Sequence, residues 1–491
     1  MLKKIRLTIA VVFFLFTTLL FLDFTGCIHT YFGWIAKIQF LPAVLALNVV
    51  VVIALLLLTL VFGRIYCSVI CPLGIMQDII SRCNLKKNHF SYSPAKNILR
   101  GVMLVVFIAT IAAGFASLAA VIAPYSTFGR IAQTLLQPLY IGVNNLLAGV
   151  AEHFESYAFY QREVWLRSMP TLITAAVSFV VIAVLAWRGG RTYCNTICPV
   201  GTVLGFVARF SWLKIVIDEN TCKNCGKCSR NCKASCIDFK NHKVDYSRCI
   251  TCGNCLSQCA FGSISYGHKN TIDNENKVAA EHTDSGRRAF LLGTGLAIGA
   301  AALAQEKKKV DGGLAVIEEK VQPKRNTPLT PPGSFSAKNL QQRCTACQLC
   351  ISQCPNDVLR PSADMSHFMQ PTMSYERGYC RPECNRCSQA CPTGAIKPIS
   401  LDEKSSTQIG HAVWVKKNCV PVAEGHECGN CARHCPTGAI QMIHPDGDES
   451  IPAIPAINES KCIGCGACEN LCPARPFSAI YVEGHEVHHL N

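Results

Sequence analysis

The chain has 491 residues, 31 of them cysteine, and its 47 Lys and Arg against 32 Asp and Glu give a net charge of +15. With a positive mean hydropathy, this composition indicates a membrane protein joined to metal domains, about three domains in all. It argues against a disulfide framework, because the cysteines crowd into short repeated runs that lack facing partners, and against structural zinc, which usually takes two separated cysteine pairs.

Four apolar stretches open the chain, at about 5–22, 42–62, 98–123 and 170–187. The last three approach or exceed the ~20 residues that a helix needs to cross a bilayer. The first is shorter. Lys3, Lys4 and Arg6 flank it and no cleavage-like site follows, so it reads as a retained span rather than a signal peptide. Basic residues orient the set: Lys3 and Lys4 precede span one, and Arg64, Arg82, Lys86, Lys87, Lys96 and Arg100 lie between spans two and three. Arg188 and Arg191 follow span four. Both ends of this half are therefore expected in the cytoplasm, with the loops after spans one and three outside. The net charge partly reflects this bias and is no sign of nucleic-acid binding.

A repeat marks the cytoplasmic face. Arg64-Ile-Tyr-Cys67-Ser-Val-Ile-Cys71-Pro72-Leu-Gly74 recurs as Arg191-Thr-Tyr-Cys194-Asn-Thr-Ile-Cys198-Pro199-Val-Gly201. Each copy follows a span, so the half reads as two tandem two-span units. Cys67, Cys71, Cys194 and Cys198 could form one metal centre or two redox-active dithiols. They could also be small buried residues at a tight turn into a helix. No histidine pair lies inside the spans, and no haem c attachment motif occurs.

Next come two runs, Cys222, Cys225, Cys228, Cys232 and Cys249, Cys252, Cys255, Cys259. In bacterial ferredoxin spacing three thiolates wrap one [4Fe–4S] cube and the fourth reaches a neighbour. Crossed ligation groups Cys222, Cys225, Cys228 with Cys259, and Cys249, Cys252, Cys255 with Cys232. Lys233 and Ala260 stand where proline is common, and Cys236 could replace Cys232.

Tandem two-span units with C-x3-C-P, followed by a two-cluster ferredoxin, resemble the NapH-type membrane ferredoxins, over about residues 1–270. The wider family includes membrane components linked to nitrous oxide reductase and to cytochrome oxidase assembly. The resemblance implies quinol-linked electron transfer.

Residues 269–335 read as a linker. Within it, Arg287-Arg288-Ala-Phe290-Leu291 resembles a twin-arginine export signal, leading into an apolar stretch, 289–304, that is expected to cross as a fifth helix. A membrane-contacting helix with everything downstream cytoplasmic is the alternative. Residues 305–335, rich in Lys, Pro and Gly, read as a flexible tether.

Four further runs follow: Cys344, Cys347, Cys350, Cys354; Cys380, Cys384, Cys387, Cys391; Cys419, Cys428, Cys431, Cys435; and Cys462, Cys465, Cys468, Cys472. Proline follows the last cysteine each time, at 355, 392, 436 and 473. Sixteen thiolates suit four cubes, giving about six in the chain. Run order and the widened third run resemble the NapG-type four-cluster ferredoxins, over about 285–485. That resemblance implies crossed pairing of the first run with the fourth and the second with the third. Cys472 would then complete Cys344, Cys347, Cys350, and Cys354 would complete Cys462, Cys465, Cys468. Cys435 would complete Cys380, Cys384, Cys387, and Cys391 would complete Cys419, Cys428, Cys431. His485, His488 and His489 read as a solvated tail, with a metal site as the alternative.

The expected protein is multi-domain, an α-helical membrane bundle plus α+β ferredoxin-like [4Fe–4S] domains. Residues 1–213 form the membrane module, 214–268 a cytoplasmic two-cluster domain and 336–485 a four-cluster domain on the periplasmic side of a bacterial inner membrane. No flavin or NAD motif is seen, and no catalytic residue is assigned. The function expected is a relay of electrons between quinol, or a cytoplasmic donor, and a periplasmic terminal reductase or small redox carrier. A redox maturation factor for a metalloenzyme is the alternative.

Overall fold

A computed structural model describes residues 2–84, 90–156, 158–267 and 318–490. Lys86, Lys87, the twin-arginine segment and the stretch 289–304 lie outside the described residues. The chain divides into two units. The first comprises Met1–Leu22, Cys27–Val143 and Met169–Gly293, and the second Asp23–Gly26, Asn144–Ser168 and Thr294–Asn491.

In the first unit, α1 (Leu2–Leu22) and α8 (Met169–Gly189) are the long apolar helices. Among the described residues, two helices are long and apolar enough to cross a membrane, Lys3–Leu22 and Met169–Gly189. The other two expected spans are shorter. Leu47 takes a left-handed backbone (φ 55°) and the Asn48 side chain caps the next helix by accepting from Val51 N, so α2 runs only Val49–Phe62. Gly114, also left-handed, follows the end of α5 (Asn97–Ala112) and breaks the third stretch. Both helices turn apolar side chains outward, with Val49, Val50 and Ile53 exposed on α2 and Ile98, Val102 and Val105 on α5.

After α2, α3 (Ile65–Val69) leads into α4 (Pro72–Cys83), and after α8, α9 (Thr192–Thr196) leads into α10 (Pro199–Ala208). Pro72 and Pro199 stand at the first turn, where a missing N–H costs nothing. The C-P dipeptide thus starts each helix with its cysteine at the N-cap. Between α5 and α8 lie α6 (Pro124–Ile131), a π turn (Ala132–Leu136) and α7 (Gln137–His153). The sequence leads to an outer loop here; the structure makes much of it helical.

The two-cluster segment pairs β1 (Lys214–Ile217) antiparallel with β4 (Ile264–Gly267), closing the segment end to end. A small hairpin of β2 (Ile237–Asp238) and β3 (Lys243–Val244) lies between them. Two one-turn helices, α11 (Lys227–Arg230) and α12 (Asn254–Gln258), carry a cysteine each. Ile215, Ile237 and Ile264 form its core.

The second unit repeats this economy. β5 (Leu359–Pro361) pairs with β6 (Pro371–Met373), β8 (Ile440–Ile443) with β9 (Ile454–Ile457), and β7 (Thr407–Trp414) with the long β10 (Ile480–Leu490). Helix α13 (Leu349–Ser352) packs beside α14 (Arg386–Ala390), and α15 (Asn430–Arg433) beside α16 (Ala467–Leu471). Leu329, Leu340, Ile351, Tyr375 and Val482 fill the core among the cysteines.

Two expectations change here. Residues 318–335, expected within the tether, are docked. Arg325 Nη2 donates to both carboxylate oxygens of buried Glu469 at 2.6 and 2.8 Å, Lys320 donates to the carbonyls of Glu469 and Asn470, and Leu329 is buried. The C-terminal histidines are not a free tail but part of β10, where His485 Nε2 lies 3.1 Å from His411 Nδ1 and His488 Nε2 lies 2.9 Å from Thr330 Oγ1.

Candidate iron–sulfur sites

Four of the six runs fold by one local device. A left-handed residue after the second cysteine turns the backbone so that the third cysteine, on a one-turn helix, faces the first two. Gly226, Gly253 and Gly466 supply it in three runs and Gln348 in a fourth. All 31 cysteines are free of disulfides.

Cys222, Cys225, Cys228 and Cys259 line one cavity of the two-cluster segment. Cys232, Cys236, Cys249, Cys252 and Cys255 line another. Each cavity thus draws thiols from both runs. Burial pushes the Cys228 thiol up to about 11. The opposite holds for Cys232, where the Cys236 thiol, 3.5 Å away, hydrogen-bonds to it and brings it down to about 7. Either thiol can donate in that pair, and both line the cavity.

In the second unit the grouping differs from the pairing that the NapG-type resemblance implies. Cys354 lines a cavity with Cys380, Cys384 and Cys387, and Cys435 lines one with Cys462, Cys465 and Cys468. Burial with Cys391 and Cys347 close by raises the Cys344 thiol well above its ordinary value, and Cys391 bears on Cys350 too. Burial raises Cys419 and Cys431 as well, with Cys472 and Cys428 close to both. The fourth cysteines thus exchange between the first and second runs and between the third and fourth. The cause is local: each exchange closes across one pair of adjacent short helices, α13 with α14 and α15 with α16. Nearby partners cost less closure entropy than distant ones.

The pairs meet at one place. Cys380 N–H donates to Cys465 O at 2.9 Å. Tyr375, fully buried, donates its hydroxyl to Gly464 O at 2.6 Å and accepts from Asn470 Nδ2 through its own carbonyl at 2.7 Å. Buried Lys404 donates to the carbonyls of Arg381 and Cys384, and it also lowers Cys380, whose thiol burial has raised to about 11.

Segments 23–26 and 144–168 are built into this same unit beside the Cys354 loop. Gln353 Nε2 donates to Asp23 O at 3.0 Å, Arg162 to Pro355 O at 2.8 Å, and Arg167 pairs with Asp357 at 3.0 Å. The Trp165 ring takes the guanidiniums of Arg360 and Arg377 at 4.5 and 4.7 Å.

In the first unit, Cys67, Cys71, Cys194 and Cys198 are all buried, at 3–4% exposure. The repeats exchange arginines. Arg64 of the first donates to Cys194 O at 3.2 Å, and Arg191 of the second donates to Cys67 O at 2.6 Å. Glycine makes room for each. A Cβ on Gly74 would lie 2.4 Å from Arg191 Nη1, and one on Gly201 would lie 2.9 Å from Arg64 Nη2. Asp78 on α4 gathers three cations: Arg191 at 2.8 Å, Lys233 at 3.3 Å and Arg6 at 3.6 Å. Burial alone would raise its carboxyl, but these cations outweigh burial and hold it below the usual carboxylate range. Lys233 therefore replaces the usual proline for a reason. Its ammonium reaches Asp78, its carbonyl accepts from Arg191 N at 2.8 Å, and both bonds dock the two-cluster segment on the C-x3-C-P elements. Sequence reasoning missed this hub, although Lys233 at a proline position was its visible trace.

A family described as 4Fe-4S binding domain (Fer4_5) matches residues 44–89 and 171–217, and one described as 4Fe-4S dicluster domain (Fer4_7) matches 343–420 and 426–475. The chain carries 4Fe-4S ferredoxin domains. The dicluster matches divide between residues 420 and 426, so Cys419 falls in the first match while Cys428, Cys431 and Cys435 fall in the second. Over 152 residues, 30% of this chain and 64% of the relative, the chain is 33% identical to the methylamine utilization ferredoxin-type protein MauM of Methylobacillus flagellatus. It is 27% identical to the ferredoxin-type protein NapF of Escherichia coli K12 over 163 residues, 33% of this chain and 90% of that one. It is also 24% identical to the putative electron transport protein YccM of the same strain over 198 residues, 39% and 47% of the two chains. The chain thus spans just under two thirds of the MauM protein it matches. Two of these relatives are ferredoxin-type proteins and the third is a putative electron transport protein.

Proposed function

We propose that the protein is a membrane-bound relay carrying electrons between quinol, or a cytoplasmic donor, and a periplasmic terminal reductase, in the manner of NapH-type and NapG-type proteins joined in one chain. The observation that carries this reading is the Cys380–Cys465 hydrogen bond, which joins two pairs of cysteine quartets into one series. When bound, [4Fe–4S] cubes exchange single electrons. The chain's own residues do the rest. Tyr375 and the buried aliphatic side chains exclude water, and Lys404 and the backbone N–H groups set local charge, which tunes potential.

Four features support the membrane setting: the two long apolar helices, the outward apolar faces of α2 and α5, the basic residues at one end of the expected spans, and the membership of segments 23–26 and 144–168 in the unit of the four-cluster domain. By charge those two segments are the outer loops. This supports a periplasmic four-cluster domain.

Amine labelling of intact spheroplasts with a membrane-impermeant reagent tests the topology, read by mass spectrometry at the lysines after residue 318. Labelling from outside agrees with the proposal, and protection removes its periplasmic half. Turnover separates a relay from a maturation factor, since only a relay reoxidises continuously while its reductase has substrate.

A further inference from the structure

We infer that the rim of the cavity lined by Cys222, Cys225, Cys228 and Cys259 is the docking port for a small acidic one-electron carrier protein. The inference rests on the proposed relay and deepens it, naming the chemistry of the donor. Only one of the two cysteine groups in this segment is open. Cys225 is exposed, and Cys222 and Cys259 are half-buried. The group of Cys232, Cys249, Cys252 and Cys255 has no exposed member, and its flanks are fastened to the helices of its own unit. Arg64 and Arg100 both donate to Ser247 O, at 3.0 and 3.3 Å, and Thr251 Oγ1 donates to Phe62 O at 3.1 Å. The fit is close, since a Cβ on Gly205 would lie 2.4 Å from Ser247 O and one on Gly63 2.7 Å from Thr251 Oγ1. A carrier arriving from solution therefore meets the Cys222 group.

Charge names the partner. Between Cys222 and Arg230 the charged side chains are Lys223, Lys227 and Arg230, all basic and all exposed. Among the described residues none of these cations forms an ion pair with a carboxylate. Arg230 Nη2 donates to Cys225 O at 3.0 Å, which holds one positive charge beside the exposed cysteine. Lys240 and Lys243, also exposed, extend the set onto the β2–β3 hairpin. That hairpin is adjacent, because its Phe239 ring lies 3.3 Å from where a Cβ on Gly226 would stand. These five cations outnumber the acids that flank the run, Asp218, Glu219 and Asp238. Two of those acids are engaged in their own turns, Asp218 accepting from Thr221 Oγ1 and Asp238 from Asn241 Nδ2, each at 2.8 Å.

An apolar contact completes the port. Phe261 lines the same cavity as Cys259 and is 46% exposed, with Lys223 Nζ 4.9 Å from the centre of its ring. A patch of this kind suits brief docking. Rim charges raise the rate of encounter with a partner of opposite sign more than they tighten the complex, and electron-transfer encounters use the smallest specific interfaces. At the port one electron leaves the reduced carrier, which is oxidised by one. It enters the cluster that Cys222, Cys225, Cys228 and Cys259 would hold, which is reduced by one, and no bond forms or breaks.

The test mixes the anaerobically purified full chain, in neutral detergent, with a reduced acidic [2Fe–2S] ferredoxin. Freeze-quench paramagnetic resonance follows the electrons, since the two cluster types give separate signals. Between about 0.01 and 0.15 M salt the Debye length falls from about 30 to about 8 Å, and the wild-type rate should drop about tenfold or more. A variant carrying Lys223→Glu, Lys227→Glu and Arg230→Glu should be slower by about tenfold or more at low salt. It should still be reduced by methyl viologen radical, a small cation, no more slowly than wild type. A wild-type rate that is flat or rises with salt overturns the inference, as does a variant that takes electrons from the ferredoxin as fast as wild type. If the variant loses its iron, the wild-type salt dependence decides alone. Failure of the relay reading looks different: reduction keeps its salt dependence but stops at about two electrons per chain, one for each cube of this segment.

Discussion

The amide of Cys380 and the carbonyl of Cys465 are 2.9 Å apart, so the second and fourth cysteine runs, 85 positions distant in the chain, share a hydrogen bond. Around it the local exchange of fourth cysteines gives a linear order: the Cys344 quartet, then that of Cys380, then that of Cys462, then that of Cys419. Tyr375 seals the middle. Its ring lies where a Cβ on Gly466 would come within 2.2 Å, and Gly466 itself is left-handed at φ 78°.

Tyr375→Ala removes a fully buried aromatic ring and should cost about 3–5 kcal/mol, as for other large aromatic truncations. Tyr375→Phe loses only the bond to Gly464 O, about 1 kcal/mol. Denaturant titration reads both. Reduced Tyr375→Ala protein should also show weaker magnetic coupling between cubes by paramagnetic resonance, while Tyr375→Phe keeps it.

Cys354→Ala should expose Cys380, Cys384 and Cys387 to alkylation and leave Cys462, Cys465 and Cys468 protected. Mass spectrometry of the labelled peptides checks this. The reverse pattern would restore the pairing implied by the NapG-type resemblance.

How much of this was legible in the sequence differs between elements. Apart from Cys236, the cysteines that line the ferredoxin cavities all lie in the spaced runs, because three come from one short stretch. The fourth ligand depends on which helices pack together, and α13 beside α14 is a tertiary fact that spacing does not encode. Apolar length overstated two spans, since Leu47–Asn48 and Gly114 break helices without breaking hydrophobicity. Arg64 and Arg191 looked like charges flanking spans. Their burial and exchange between repeats depend on Gly74 and Gly201, whose role only the fold displays.

Asp78→Asn leaves Arg6, Arg191 and Lys233 buried around a neutral amide. Removing one partner of a buried ionic group typically costs about 3–5 kcal/mol. Because the folded carboxyl lies below its unfolded value of about 3.9, this stabilisation is complete above that value and fades only as pH falls through the lower, folded one. The variant should therefore be less stable at pH 7, and the gap should not narrow until strongly acid pH. Thermal unfolding of both proteins across pH reads this.

His488 works in the opposite range. Burial, with His485 and His489 nearby, lowers its imidazole to about 4. Its folded form therefore resists the proton that the unfolded chain takes up near 6.5. Stability from this group is complete above about 6.5 and falls as pH drops toward about 4, by about 2 kcal/mol at pH 5. His488→Asn should flatten that part of the difference between pH 7 and pH 5, measured as a shift in Tm relative to wild type.

The most direct test of the account is conduction across a bilayer. Vesicles containing the full chain would enclose ferricyanide, with a membrane-impermeant reductant supplied outside. Ferricyanide should bleach in these vesicles, more slowly with Tyr375→Ala, and stay coloured in protein-free ones. Bleaching no faster with the protein than without it would contradict the account.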